Sequence, residues 1–428
     1  MVDVIKPATK HGRNATLLSI IPGFGQFYNK QYVKGFTFLI LTISFFFSFL
    51  DTLNWGFWGL LTLGTIAGLD HSIFLLIDGI IALIITAIGL GIYVFNMYDA
   101  YNTGKKRDLG FMISSVKEQY HNLLDSGFPY LMISPGFLLL IFVVIFPLLF
   151  VILLSFTNYD LYHSPPAKLV DWVGIQNYID IFTLDLWRKT FIGVLGWTIV
   201  WTFVATTFQV ALGIFLAIIV NQKDLKGKAI IRTVFILPWA VPAFVSILIF
   251  SGMFNESFGV INTGILHAFG IDPVPWMTEE NWTRFALIFI QTWLGFPFIF
   301  AMTTGVLQSI PDELYEAANV DGATIWQKFT KITLPMILFA TAPIIITQYT
   351  FNFNNFNVIF LFNGGGPAIP GQNAGGSDIL ISWIYSLTMT SAQYGKAAAI
   401  TMLLSIVVVT VALWQFKRSK SFKEEDMN

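Results

Sequence analysis

Eight apolar runs, each about as long as the hydrocarbon core of a bilayer is thick, leave this chain few ways to fold. A crossing helix needs about 20 mostly apolar residues, because lipid offers the backbone no hydrogen-bond partner and a helix satisfies its N–H and C=O groups within one segment. Such helices are predicted near 36–53, 74–97, 131–156, 193–220, 231–254, 284–307, 334–361 and 397–416. Only 11% of the residues are charged, well under the roughly 25% of a soluble globular protein. The expected fold class is all-α, a polytopic transmembrane helical bundle. A ninth stretch, WGFWGLLTLGTIAGL at 55–69, is short and glycine-rich and reads as interfacial or re-entrant. The leader IPGFGQFYNKQYVKG reads as an interfacial helix and turn, and the first apolar run starts too far behind it for a cleaved signal peptide.

Orientation follows from the basic residues. With the N-terminus inside, the inner loops 1–34, 98–130, 221–233, 308–333 and 417–428 hold nineteen of the 24 Lys and Arg. Positive charge stays on the cytoplasmic side, so both termini are expected in the cytoplasm of a multi-pass plasma-membrane protein.

One inner loop carries YEAANVDGATIWQKFTKITLP at 315–335. Pro311 suits the start of a helix, and Asp312 and Glu313 favour its positive end. Gly322 is placed to stop that helix, and Ile325, Phe329 and Ile332 recur at amphipathic spacing in a second piece leading to Leu334 and Pro335. Two short helices at an angle are expected, either packed on their own bundle or offered to a partner.

The seventh run contains QYTFNFNNFNVIF, and an amide left unpaired in hydrocarbon costs several kcal/mol. At 100° per residue, Gln348, Asn352 and Asn355 share a stripe with Phe351 beside it, while Asn354 and Asn357 point the other way. Amides both donate to and accept from hydroxyls, and aromatic rings cover the apolar faces of a sugar. Helix–helix amide bonding is the alternative, and it is the reading preferred for Asn354 and Asn357.

The pattern Glu316, Ala317, Ala318, Gly322, Ile332, Leu334, Pro335 resembles the signature loop of the membrane subunits of ABC importers. From about residue 190 onward the chain is similar to the larger membrane subunit of maltose and maltodextrin importers, through ILPWAVPAFVSILIF, WLGFPF, FNFNNF and NGGGP. The resemblance implies an ABC importer permease fold of type I. It implies a leader and two spans over 1–130, a third span and short outer loop over 131–192, and a permease core over 193–428 with its coupling loop at 308–333. The short loop at 157–192 departs from the subunit of some enteric bacteria, which has a large folded outer domain after the third span. Carried over residue by residue, the resemblance implies sugar contacts at Gln348, Phe351, Asn352, Asn355, Gln291, Leu294, Gly295 and Phe298. It implies ATPase coupling through Glu316, Ala317, Ala318, Asp321 and Gly322. It also implies four kinds of partner: a second permease subunit, two ATPase subunits that hold ATP and magnesium, an extracytoplasmic sugar-binding protein, and the maltose or maltodextrin cargo. Another neutral sugar or a polyol is the alternative cargo. Pro297 is expected to break its helix beside the site.

Other chemistry is sparse. No GxxxxGK[ST] phosphate loop occurs, so no cofactor and no hydrolysis are expected in this chain. The five His have no metal-ligand spacing, and with no Cys there is neither a thiolate nucleophile nor a disulfide. No catalytic residue and no metal site are assigned. Asp78 alone lies inside a span, near a helix N-terminus, and reads as a satisfied interfacial acid. Mid-span Lys and Arg are missing, which weighs against anionic cargo, and a formal charge of -1 gives no sign of a nucleic-acid partner. A secondary transporter would need an ion-coupling site, and a membrane enzyme a nucleophile or acid–base set. Neither is legible.

Overall fold

The computed structural model describes residues 10–112, 117–118, 125, 127–222 and 225–418. Lys6, Lys223, Lys420 and Lys423, which count toward the charge bias, lie outside them. The chain divides into two compact units, Met1–Gly174 and Ile175–Asn428.

In the first unit, α1 (Lys10–Leu18) and α2 (Phe24–Tyr28) precede two long helices, α3 (Tyr32–Thr62) and α4 (Ser72–Asp108). The helix α1 lies along α4, and its first amides, those of His11 and Gly12, donate to the Asp108 carboxylate. The segment read as re-entrant is not separate. Its first half, Trp55 to Thr62, continues α3, and Leu63 with φ of 52° ends the helix. Its glycines serve close packing: a Cβ at Gly56 would meet Ala82 and the carbonyl of Asp78, and one at Gly59 would meet Leu75. Asp78 accepts from Trp55 Nε1 at 3.2 Å. The last helix of the unit, α5 (Phe128–Leu154), carries a π-helical turn at Ile141–Ile145.

The second unit is built around α7 (Asp185–Val220), which follows the short α6 (Gln176–Thr183). Its buried positions, Phe191, Val194, Thr198, Trp201, Ala205, Gln209 and Gly213, recur every three or four residues; Trp201 to Gly213 face α10 (Glu280–Ser309), while Phe191 and Val194 pack with Leu380, Trp383 and Leu387. The run expected as one span near 231–254 is broken into α8 (Lys228–Ala240) and α9 (Ala243–Met253), bent by 90°. The physical reason is local. Pro242 cannot donate, and Val241 before it takes an extended conformation. Pro297, by contrast, does not interrupt α10, which runs unbroken from Glu280 to Ser309.

After α11 (Asp312–Val320), the chain resumes at Ile325–Lys328 and passes a π-helical turn at Phe329–Thr333. It continues as α12 (Leu334–Phe353), then α13 (Phe356–Asn363), α14 (Leu380–Met389) and α15 (Tyr394–Arg418). Among the described residues six helices are long and apolar enough to cross a membrane, and the bent pair makes a seventh. The C-terminal α15 stands where the eighth is expected. Among the described residues there is no strand, only two isolated bridges.

Candidate functional site

The seventh span is not a continuous helix. It stops at Phe353, leaves Asn354 and Asn355 outside helical geometry, and restarts at Phe356. Such a break strands backbone carbonyls in an apolar setting, so partners must be supplied. Trp201 Nε1 supplies one, donating to the Asn352 carbonyl at 2.9 Å.

At this break a buried relay of amides links α7, α10 and α12. Asn355 Nδ2 donates to Gln291 Oε1 at 2.9 Å, Gln291 Nε2 to Gln209 Oε1 at 3.0 Å, and Gln209 Nε2 to Gln348 Oε1 at 3.3 Å. On the other side Asn355 Nδ2 reaches Asn352 Oδ1 at 3.3 Å, and Asn352 Nδ2 donates to Thr206 Oγ1 at 2.8 Å. Gly295 belongs to the same cluster. Its lack of a side chain lets Gln209 lie against α10, since a Cβ there would collide with Gln209 Oε1 and Cδ.

The eight residues carried over from the resemblance therefore separate. Gln348, Asn352, Asn355, Gln291 and Gly295 come together around Gln209. Leu294 packs half-buried on the core of Trp197, Trp201 and Ile290. Phe298 stands edge-on to Trp239, with ring centroids 5.8 Å apart. Phe351 points away, 60% exposed. Sequence reasoning missed Gln209 and Thr206; a lone Gln in the apolar run TFQVALGIF was the available signal for the first. The assignment of Asn354 and Asn357 to bonding between helices is corrected. Both are exposed, and Asn354 Nδ2 donates to the Thr350 carbonyl of its own helix at 3.3 Å. The break turned the stripe, so the amides expected to face a ligand are the ones that join the helices.

The loop at 308–333 forms the two expected short helices. Pro311 sits just before the first turn rather than in it, with Asp312 and Glu313 at the positive end. Gly322 has φ of 69°, and the helix closes through Ala323 N to Ala318 O at 2.9 Å and Gly322 N to Asn319 O at 3.1 Å. This is the paired closure that a left-handed glycine permits. Thr324 and Gln327 cap the second helix reciprocally. Lys328 Nζ donates to Asn319 Oδ1 at 2.7 Å, and the Tyr315 and Thr333 hydroxyls meet at 2.9 Å, so the two pieces are braced as one body. Glu316, Ala317, Asp321 and Gly322 are exposed and Ala318 is half-buried, while Val320, Ile325 and Trp326 present an exposed apolar tip.

Similarity to known proteins follows this layout. The chain is 63% identical to the galactooligosaccharides transport system permease protein GanP of Bacillus subtilis, over 97% of its own length and 100% of that protein's. It is 51% identical to the maltodextrin transport system permease protein MdxF of the same organism, over 98% of each. A bacterial ABC transporter involved in the import of the acidic polysaccharide alginate shares the fold. It has a TM-score of 0.57 and 23% identity, covering 69% of this chain and 96% of that one. GanP and MdxF are both named as transport permeases. Residues 209–420, which start at the amide at the centre of the relay and include all of α15, match one description, and with near full-length similarity to GanP the chain belongs to the family of binding-protein-dependent transport system inner membrane components.

Proposed function

We propose that this chain is a permease subunit of an ABC importer that passes neutral oligosaccharides through the cytoplasmic membrane. The amide relay at the break of the seventh span carries the reading. Five amide side chains held between helices offer donors and acceptors that exchange their mutual bonds for sugar hydroxyls at little net cost. No ionised side chain takes part in it, which suits a neutral cargo. The 90° break between α8 and α9 adds support: its residues Ala240, Val241 and Pro242 are exposed, and non-helical backbone at membrane depth belongs against protein or a water-filled passage. A second permease subunit would complete that passage.

Galactose-containing oligosaccharides join the maltodextrins as expected cargo, because the relative named for the former is more similar than the one named for the latter. The braced pair at 312–328, with its exposed Val320, Ile325 and Trp326, would seat in an ATPase subunit. There ATP and magnesium would be bound by the partner, and hydrolysis would move the pair as a lever. Both termini would face the cytoplasm, and a sugar-binding protein would deliver cargo on the opposite side. Uptake of labelled galacto- and malto-oligosaccharides into vesicles holding the complete complex and its binding protein tests this. ATP-dependent accumulation of one or both is expected. A complex that hydrolyses ATP in response to its binding protein yet accumulates neither would overturn it.

A further inference from the structure

A cavity of about 600 Å³ opens between the third to fifth turns of α7 and the start of α10, lined by Gly193, Gly196, Val200, Glu280, Asn281 and Arg284 with apolar neighbours. Its polar wall is built rather than incidental. Arg284 pairs with Glu280 at 2.6 Å, donates from Nε to the Gly376 carbonyl at 2.9 Å, and lies 4.4 Å above the Trp197 ring. The Asn281 amide makes no hydrogen bond among the described residues, and Phe285 stands exposed at the rim. The floor is open because two glycines leave it so. A Cβ at Gly196 would meet nothing within 4 Å, and one at Gly193 only Gln372 Oε1 at 4.0 Å.

The chemistry selects a ligand class. With Arg284 and Glu280 neutralising each other, no net charge is offered to an anion, whereas a carboxylate, a guanidinium and an amide beside an aromatic face suit a neutral polyhydroxylated ring. The register on α10 ties the cavity to the amide relay. Arg284, Ile288, Gln291 and Gly295 follow one another at spacings of four, three and four, so they form a single stripe. Arg284 lies two turns before Gln291, about 10 Å along the axis, which is longer than one sugar ring.

We infer that this cavity is a second sugar subsite, which holds the trailing units of an oligosaccharide whose leading unit rests at Gln291 and Asn355. The inference depends on the proposed function and deepens it. Short sugars engage the relay alone, and longer chains engage both.

The test is the ratio of hexasaccharide to disaccharide uptake by the reconstituted complex at saturating binding protein. Gly196→Leu projects a bulky side chain into the cavity from a position where a Cβ meets nothing within 4 Å, and Glu280→Gln unbalances its ion pair. Each is expected to lower the ratio about tenfold while disaccharide uptake stays within about twofold, the signature of an interaction made by one substrate only. Gly196→Ala, which adds a single methyl, should leave the ratio near that of the parent and shows that the helix tolerates a side chain there. If Gly196→Leu and Glu280→Gln lower both sugars alike, or neither, the subsite is refuted while the proposed function stands. If the parent complex takes up neither sugar, the proposed function falls, and this inference with it.

Discussion

Gly295→Ala should be far more harmful than one methyl group suggests. The new Cβ would land on Gln209 Oε1 and Cδ, so the Gln209 side chain must leave its place against α10. Its departure removes the acceptor of Gln291 Nε2 at 3.0 Å and the longer bond to Gln348 Oε1 at 3.3 Å. A buried amide left unpaired costs about 1–3 kcal/mol, overpacking about as much again, and a hydrogen bond between membrane helices averages only about 0.6 kcal/mol. A net loss of about 2 kcal/mol is therefore expected, roughly thirtyfold in the population with the relay formed. Gln209→Ala loses the bonds without the clash and should cost less. The two changes share one cause, so the double variant should be no worse than Gln209→Ala, a non-additivity of about 1–2 kcal/mol. Heat-induced loss of folded complex in detergent, measured for the parent, both single variants and the double, gives the cycle, and uptake rates give it again. Costs that simply add in the double variant would show that Gly295 and Gln209 do not meet as described.

Asn355→Ala breaks the bonds to Gln291 and to Asn352 and should reduce uptake at least about tenfold while the subunits still co-purify, given about 1–3 kcal/mol per unpaired group. Parent-like uptake would remove Asn355 from the site. Gly322→Val places a β-branched residue at φ of 69°, a strain of about 1–3 kcal/mol, and should leave ATP hydrolysis no longer stimulated by binding protein; coupled hydrolysis at parent rates would show the lever to be elsewhere. Burial pushes the Asp378 carboxyl above its ordinary value, against donation from Ser382 Oγ at 2.7 Å and Gly375 N at 2.8 Å. A raised carboxyl contributes stability that is full below its unfolded value near 4 and lost as pH rises through the folded one. Asp378→Asn should therefore raise the unfolding temperature at pH 7 and lose that advantage near pH 4, and an equal loss at both would contradict the sign.

The spans and the two short helices at 312–328 were readable because their signals are local: run length, two acids after a proline, and a glycine nine residues beyond Glu313. The places where reading failed share a cause, which is that hydropathy and a fixed 100° step both assume an unbroken helix. Pro242 ends α8 inside what hydropathy treats as one run, and the same assumption put Asn354 and Asn357 between helices when the stop at Phe353 turns them outward. The glycine-rich composition of 55–69 read as interfacial or re-entrant, yet Gly56 and Gly59 serve contact with α4, a fact that only the tertiary packing reveals. Gln209 was passed over for a related reason. A single amide in an apolar run has no partner in its own sequence neighbourhood, and its significance comes from Gln291, 82 residues away.

Since the chain has no Cys, one introduced at Leu294 is the only thiol it carries. Leu294 is half-buried, three residues from Gln291 and next to Gly295, so a bulky adduct would report on the relay without removing one of its amides. The decisive measurement is the rate at which a small water-soluble maleimide labels Leu294→Cys in the reconstituted complex during ATP turnover, with and without oligosaccharide. Labelling that slows several-fold with a transported galacto- or malto-oligosaccharide, and not with a sugar the complex does not transport, is the expected result. A labelling rate indifferent to the transported sugar would contradict the claim that cargo passes the amide relay.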